Sequence, residues 1–407
     1  MSGIGLTLTL AAAFDPEAAT QAYLATLKGA ARAKSDAYFE GGYWLLLWGT
    51  IIGVLTDLAL LKFGFSARFR DWAERVTKWR FLQSMLYAIP YILAGTIIGL
   101  PWTIYTGYFR EKQYDLMNQS FAGWAGEQGI GLAISLVAFS LIIALVMNGI
   151  RRSPKRWWLW GTGLAAIFMA FVILITPVFI SPLFNTYTEL ATGPARDRIV
   201  SMAKSRGVPA DHIYVFDQSK QHKRISANVS GLGPTIRISL NDNLLNRTTL
   251  PETAAVMAHE MGHYVLNHGY KLAAEFALMF GLCFWIASLI VPGMIARWGA
   301  AWGIRTIDDV AAWPVYSIVL TLLIFVMTPV KNTIIRVHES EADAFGLDVA
   351  REPDGFAQAS MKLSEYRKIE PGVVEEFLFY DHPSGRTRIR MAMDWKAKHL
   401  ADAPAAK

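Results

Sequence analysis

Charge and cysteine are both scarce in this chain. Asp, Glu, Lys and Arg make up only 18% of its 407 residues, against 53% hydrophobic and 13% aromatic. That is too few charges to dress the surface of an ordinary soluble protein of this length, so the first class to consider is a membrane protein. The single cysteine, Cys283, excludes an intrachain disulfide and a cysteine metal site; lying in an apolar run, it reads as core filler. Net charge is a mild +6, concentrated in clusters such as Arg151, Arg152, Lys155 and Arg156 beside apolar runs. Lipid headgroups are fitter partners for such clusters than nucleic acid, and no nucleic-acid binding is expected. No basic residue precedes the first apolar stretch, MSGIGLTLTLAAA, which is also too short to cross a bilayer. It reads as a weak or interfacial segment rather than a signal peptide.

Long apolar runs are what the chain has in abundance. Six can each span roughly 30 Å of hydrocarbon: residues 42–62, 82–107, 130–150, 158–180, 272–296 and 312–330. Many of the 14 Trp and 15 Tyr flank these runs, as amphipathic rings at headgroup level do. Kinks are expected at Pro90, Pro101 and Pro177. Basic residues near the span ends divide almost evenly between the two sides, so they do not orient the chain. The expected organisation is an N-terminal segment (1–41) of interfacial character and four spans (42–180). The first half of a polar domain (181–271), a two-span hairpin (272–330) and the second half with the tail (331–407) follow. The first polar half reads as α+β: a helix over 195–206, strand-like runs HIYVFDQ, KRISANVSG and TIRISLN, then a helix opened by a capping-box pattern, Thr249 with Glu252.

That last helix carries AHEMGHYV. Residues four apart share a helix face, so His259 and His263 project one turn from each other, close enough to share a metal, while Glu260 sits beside them. In such a pair the imidazoles hold Zn²⁺ and the carboxylate deprotonates a water that the ion has already acidified. A catalytic zinc needs a third protein ligand. His268 is nearest in sequence, but it lacks the glycine of the longer histidine pattern and reads as a surface residue. Glu339 and Asp343, in RVHESEADAF, are again four apart. Glu339 can ligate and Asp343 can accept the free ring N–H of a ligand histidine, although such acidic clusters are more often solvated helix faces. The intervening spans form a hairpin that returns the chain to the same side. In YDHPSGRTR, His382 and Arg388 can stabilise an oxyanion; alone they would more often be a cap and a surface charge. KRISANVSG reads equally as an ordinary edge strand or as one that pairs with an extended peptide. Asp57 in the first span faces either a wet cavity or a bonded partner.

Together, GLPWTIYTGYFREKQYDLMNQS, FISPLFNTYTEL, AHEMGHYVLNH, RVHESEADAF and DHPSGRTR make residues 80–395 resemble the zinc-dependent integral-membrane CAAX prenyl proteases of type I. The resemblance implies a polytopic α-helical membrane protein enclosing a chamber, with a split α+β zincin-like metalloprotease domain. It implies one Zn²⁺ per chain held by His259, His263 and Glu339, Glu260 as general base, and Asp343 behind the ligands. It further implies His382 and Arg388 on the reacting carbonyl and Asn228 on an edge strand pairing with substrate. The implied partners are a peptide or protein substrate, with a prenylated C-terminus as one candidate, and membrane lipid. The active site is then expected on the cytoplasmic side. Eukaryotic members have seven spans against the six counted here. Two other readings stand beside this one: a broad quality-control protease of membrane proteins, and a transporter or lipid-binding chamber with a structural zinc. An intact Glu260 argues against the last, since a structural site needs no base.

Overall fold

The computed structural model describes residues 14–231 and 235–400; the expected interfacial stretch over 1–13 lies outside them. The chain opens with α1 (Pro16–Leu24), α2 (Gly29–Lys62), α3 (Phe65–Val76), α4 (Arg80–Ile104), the short α5 (Arg110–Gln113), α6 (Phe121–Arg152) and α7 (Trp157–Ile175). Next come β1 (Tyr187–Glu189), α8 (Pro194–Ser205), β2 (Ile213–Phe216), β3 (Ala227–Ser230), β4 (Arg237–Asn241), α9 (Asp242–Arg247) and α10 (Leu250–Val265). The remainder is helical: α11 (His268–Trp298), α12 (Trp313–Val326), α13 (Thr328–Ala350), α14 (Pro353–Leu363), α15 (Val373–Phe379) and α16 (Gly385–His399).

Among the described residues, four helices are long and apolar enough to cross a bilayer: α2, α4 extended through α5, α6 and α11. Two bent pairs raise the number to six, α7 with the turn after it and α12 with α13, which meet at 53°. Their outer faces carry large apolar side chains, among them Ile97, Val137 and Leu278, each about 70% exposed. In a bilayer these faces meet lipid. Their inner faces pack Leu61, Tyr87, Ile143, Met147, Trp157, Val291 and Tyr316 into one core. One end of this bundle is tied by a buried pair, Arg70 Nη1 to Asp309 Oδ2 at 2.6 Å. The expected kink at Pro177 coincides with a 45° bend after α7. Helix α4 continues through Pro90 and Pro101, and the irregularity is a π-helical turn just beyond, Tyr105–Phe109. A second π turn, Thr176–Ile180, contains Pro177. Such turns absorb the register error left when proline removes a backbone donor.

The polar domain is an α+β unit. Its four strands run in the order β1-β2-β4-β3, with β2 parallel to β4 and the outer pairs antiparallel. Ile213, Ile238 and Leu240 face Met257, Ala258 and Met261 of α10 across one core. On its other side α10 joins Leu347, Phe356 and Ile389 through Ala255. Leu24 completes that core, and Arg390 of α16 pairs with Glu17 at 2.5 Å. Residues 16–24 therefore pack into this domain. The first turns of α2 belong there too, with Tyr43 donating to Glu375 at 2.7 Å.

Candidate functional site

Helices α10 and α13 cross almost in backbone contact. A Cβ added to Gly346 would lie 3.0 Å from the His259 amide nitrogen, and one on Gly262 would lie 3.2 Å from the Ala342 Cα. Only glycine permits that approach. It sets the Nε2 atoms of His259 and His263, 3.1 Å apart, against the Glu339 carboxylate. Glu339 Oε2 is 3.2 Å from His259 Nε2 and Oε1 is 3.4 Å from His263 Nε2. Three lone-pair donors this close demand a positive charge among them. Tetrahedral zinc with bonds near 2.1 Å requires ligand separations of about 3.4 Å, so the residues fit the ion. Glu339 Oε2 is moreover buried without a hydrogen-bond partner among the described residues.

The surroundings hold these donors in place. Asp343, fully buried, puts Oδ1 2.7 Å from His259 Nδ1 and accepts from Arg388. Burial lowers the affinity of His259 for a proton, but Asp343 and Glu339 outweigh it and hold the imidazole up at about 10. The site thus attracts a cation, proton or metal, strongly. Burial pushes the Glu260 carboxyl up, opposed by His259 and His263. A base with raised affinity is suited to accepting a proton. His382, in the loop after α15, rests Nδ1 2.7 Å from Asp381 and points Nε2 at Glu339 Oε2, 3.3 Å away. Burial and the charge of Arg367 hold its pKa below the usual imidazole value despite Asp381. Arg388 is buried, and burial's downward pull on it is exceeded by Asp343.

His259, Glu260, Glu339, His382 and Arg388 line one cleft of about 160 Å³, whose far wall is Ser226 and Ala227 of the β3 segment. Asn228 follows on β3, opposite Ser239 of β4, and its Oδ1 accepts from Ser230 at 3.0 Å. The other edge of β3 has no strand on it among the described residues. Through Tyr366 and Arg367 the cleft adjoins a cavity of about 560 Å³ between α2 and α13, lined by Tyr38, Arg110, Glu111 and Lys331. Asp57 does not face it; Asp57 is buried and accepts from Tyr91 at 2.7 Å.

The reading of His268 as a surface residue is overturned. It is 1% exposed, with Nδ1 2.9 Å from His263 Nδ1 and Nε2 3.0 Å from Glu341 Oε2. Asn267, in the left-handed conformation at φ 57°, ends α10 and turns the chain so that His268 starts α11 underneath His263. Nothing in the linear spacing announces that turn. Asp381, beside His382, likewise carries no signal in the sequence, since an aspartate next to a histidine is common on any surface.

Comparison with known proteins now bears on this geometry. The family model for peptidase family M48 matches residues 190–396. That described as CAAX prenyl protease N-terminal, five membrane helices, matches residues 19–186. The chain is 29% identical over 368 residues to the uncharacterized metalloprotease YhfN of Bacillus subtilis (strain 168), covering 90% of this chain and 86% of that one. It is 31% identical over 177 residues to CAAX prenyl protease 1 of Saccharomyces cerevisiae, covering 43% and 39% respectively. Among solved structures it resembles the crystal structure of S. mikatae Ste24p, with a TM-score of 0.75 and 22% identity over 93% of this chain and 94% of that one. This last likeness bears on the fold alone.

Proposed function

The chain belongs to peptidase family M48 and is a membrane-embedded metalloprotease, and from that premise we propose that it works as a zinc endopeptidase with the active site on the cytoplasmic side. His259, His263 and Glu339 hold one zinc ion, which when bound supplies Lewis acidity to a water and to the scissile carbonyl. The observation that carries this reading is the convergence of their donor atoms at 3.1–3.4 Å.

Glu260 takes the proton of the attacking water and passes it to the leaving amine. Its raised proton affinity favours the uptake, and its place in the cleft wall sets the geometry. Asp343 fixes the His259 ring from behind. Arg388 brings a permanent positive charge to the carbonyl oxygen as it becomes anionic, and His382 offers Nε2 to the same atom. The peptide lies extended along the free edge of β3 near Asn228, its backbone completing the ladder. The cavity between α2 and α13 is part of a chamber among the membrane helices through which substrate arrives. The split suggested by the sequence serves this arrangement: four spans over 42–180, catalytic halves over 181–271 and 331–407, and the hairpin 272–330 between them. The N-terminal segment 1–41 contributes through α1 and the start of α2.

The proposed substrates are peptides or proteins presented at the membrane. The similarity to CAAX prenyl protease 1 makes a prenylated C-a-a-X peptide the first to try, with lipid and prenyl chain sharing the apolar surroundings. Glu260→Gln should abolish cleavage while zinc content per chain stays unchanged. A variant that still cleaves at the wild-type rate would sink the mechanism. Pairing the prenylated peptide with its unprenylated twin tests the substrate separately: equal cleavage of both argues for the broader quality-control role.

A further inference from the structure

A second cluster of metal-binding side chains adjoins the first. His268, His338 and Glu341 place one donor atom each within 4.8 Å of one another. His268 Nε2 is 3.0 Å and His338 Nδ1 3.8 Å from Glu341 Oε2. The two rings pack 4.6 Å apart, both buried, and the Glu341 side chain is 47% exposed, which leaves the cluster open to solvent on one side. His338 Nε2 is already engaged by Glu275 at 2.7 Å, and its Nδ1 is buried with no hydrogen-bond partner among the described residues. An orphaned ring nitrogen aimed beside a carboxylate and a second imidazole is a ligand set of the kind that takes zinc. Lys271 Nζ lies 3.7 Å from the same Glu341 oxygen.

We propose that His268, His338 and Glu341 form a second transition-metal site, and that an ion held there opposes the ion held by His259, His263 and Glu339. The opposition follows from where the protons sit, and it rests on the zinc reading proposed above. When His263 binds an ion through Nε2, its neutral ring keeps its proton on Nδ1. That proton is donated to His268 Nδ1, 2.9 Å away, so His268 carries its own proton on Nε2 and gives it to Glu341. A single directed chain results: catalytic site, His263, His268, Glu341. An ion on His268 Nε2 displaces that proton, and the neutral His268 ring then holds its proton on Nδ1. Two N–H groups now face each other across 2.9 Å, and the support behind the His263 ligand is lost. Loss of such support costs about 10- to 100-fold in metal affinity or in activity.

The test is a zinc titration of the full, metal-stripped chain in detergent, with free zinc set by chelator buffers. Bound zinc per chain and cleavage of a quenched-fluorescent peptide are followed together. The first equivalent should restore cleavage, and a second, bound at higher free zinc, should reduce it by about tenfold or more. His338→Phe should keep the first phase and move the second to free zinc at least about tenfold higher. Glu341→Gln, at an exposed position where folding is not at stake, should move the second phase in the same direction relative to the first. Activation by one equivalent with no second binding event overturns this proposal and leaves the proposed function standing. So does inhibition that neither variant shifts. Absence of activation by the first equivalent overturns the proposed function, and the second-site proposal with it.

Discussion

Replacing Gly346 by alanine probes the crossing that assembles the site. In an unencumbered helix this change is favourable by about 1 kcal/mol, because alanine gives up less conformational freedom than glycine. Here the new methyl would sit 3.0 Å from the amide nitrogen, 3.1 Å from the Cα and 3.4 Å from the Cβ of His259. Carbon atoms settle at about 3.5–4.0 Å, so α10 and α13 must separate by roughly 0.5 Å. Overpacking of this kind costs about 1–3 kcal/mol, and the net effect runs from neutral to about 2 kcal/mol of destabilisation. The consequence for metal is larger, since ligand distances tolerate only about 0.2 Å and His259 and Glu339 sit on the two separating helices. Zinc affinity, measured by chelator competition on the detergent-purified protein, should fall tenfold or more by the same geometric argument that about 1.4 kcal/mol is a factor of ten. Thermal unfolding with zinc and with chelator should show a smaller zinc-dependent rise than in the wild type. Gly126, exposed on α6 with nothing near its missing Cβ, is the control, and alanine there should leave affinity unchanged. A Gly346→Ala protein that melts higher without metal and binds zinc as tightly as before would refute the reasoning.

Other outcomes follow from the same coordinates. Asp343→Asn removes the anion between His259 and Arg388; zinc affinity should drop about 10- to 100-fold, read by metal content after dialysis against chelator. Asp309→Asn strips Arg70 of its buried charge partner and leaves it the half-exposed Asp71 alone, so the cost should be less than the about 3–5 kcal/mol of a fully orphaned buried charge, seen as a lower unfolding midpoint with zinc binding of the folded protein intact. His222 supplies a pH dependence. Its Nδ1 accepts the Arg224 amide, and burial together with the Arg224 charge pushes its pKa down from 6.5 to about 4. The folded form keeps the ring neutral while the unfolded chain takes up a proton below 6.5, so stability falls as pH drops from 6.5 towards 4. His222→Asn should flatten the melting temperature across that window, and an unchanged slope would count against the assignment.

Much of the site can be read from spacing alone. His259 and His263 are one helical turn apart, and local periodicity suffices to place them on one face with Glu260 beside them. Glu339 required the further argument that two spans form a hairpin, and α11 and α12 do return the chain to the crossing. His268 defeats this kind of reasoning, because its position depends on a single left-handed residue, Asn267, that reverses direction between two helices. His338 defeats it too: it neighbours Glu339 in sequence, but the face it presents is decided by how α13 sits against α11. The π turn beyond Pro101 has no signal in the spacing either; α4 runs helical through Pro90 and Pro101 up to it. Residues 16–24 look unremarkable in a sequence scan because only Tyr23 and Leu24 among their apolar side chains are large. Their contribution to the core comes from what α16 and α14 bring to them, as Leu24 shows against Phe356 and Met393.

The separation of His263 from Glu339 by α11 and α12 has a meaning for how the protein is made. During synthesis the two histidines leave the ribosome first, while their carboxylate partner is still untranslated and two apolar segments away. Hydrolytic competence therefore waits until both segments have been laid into the bilayer and the chain has come back. A copy that stalls, is truncated, or fails to insert carries only a pair of imidazoles. The membrane itself thus acts as a safety catch on the assembly of the site.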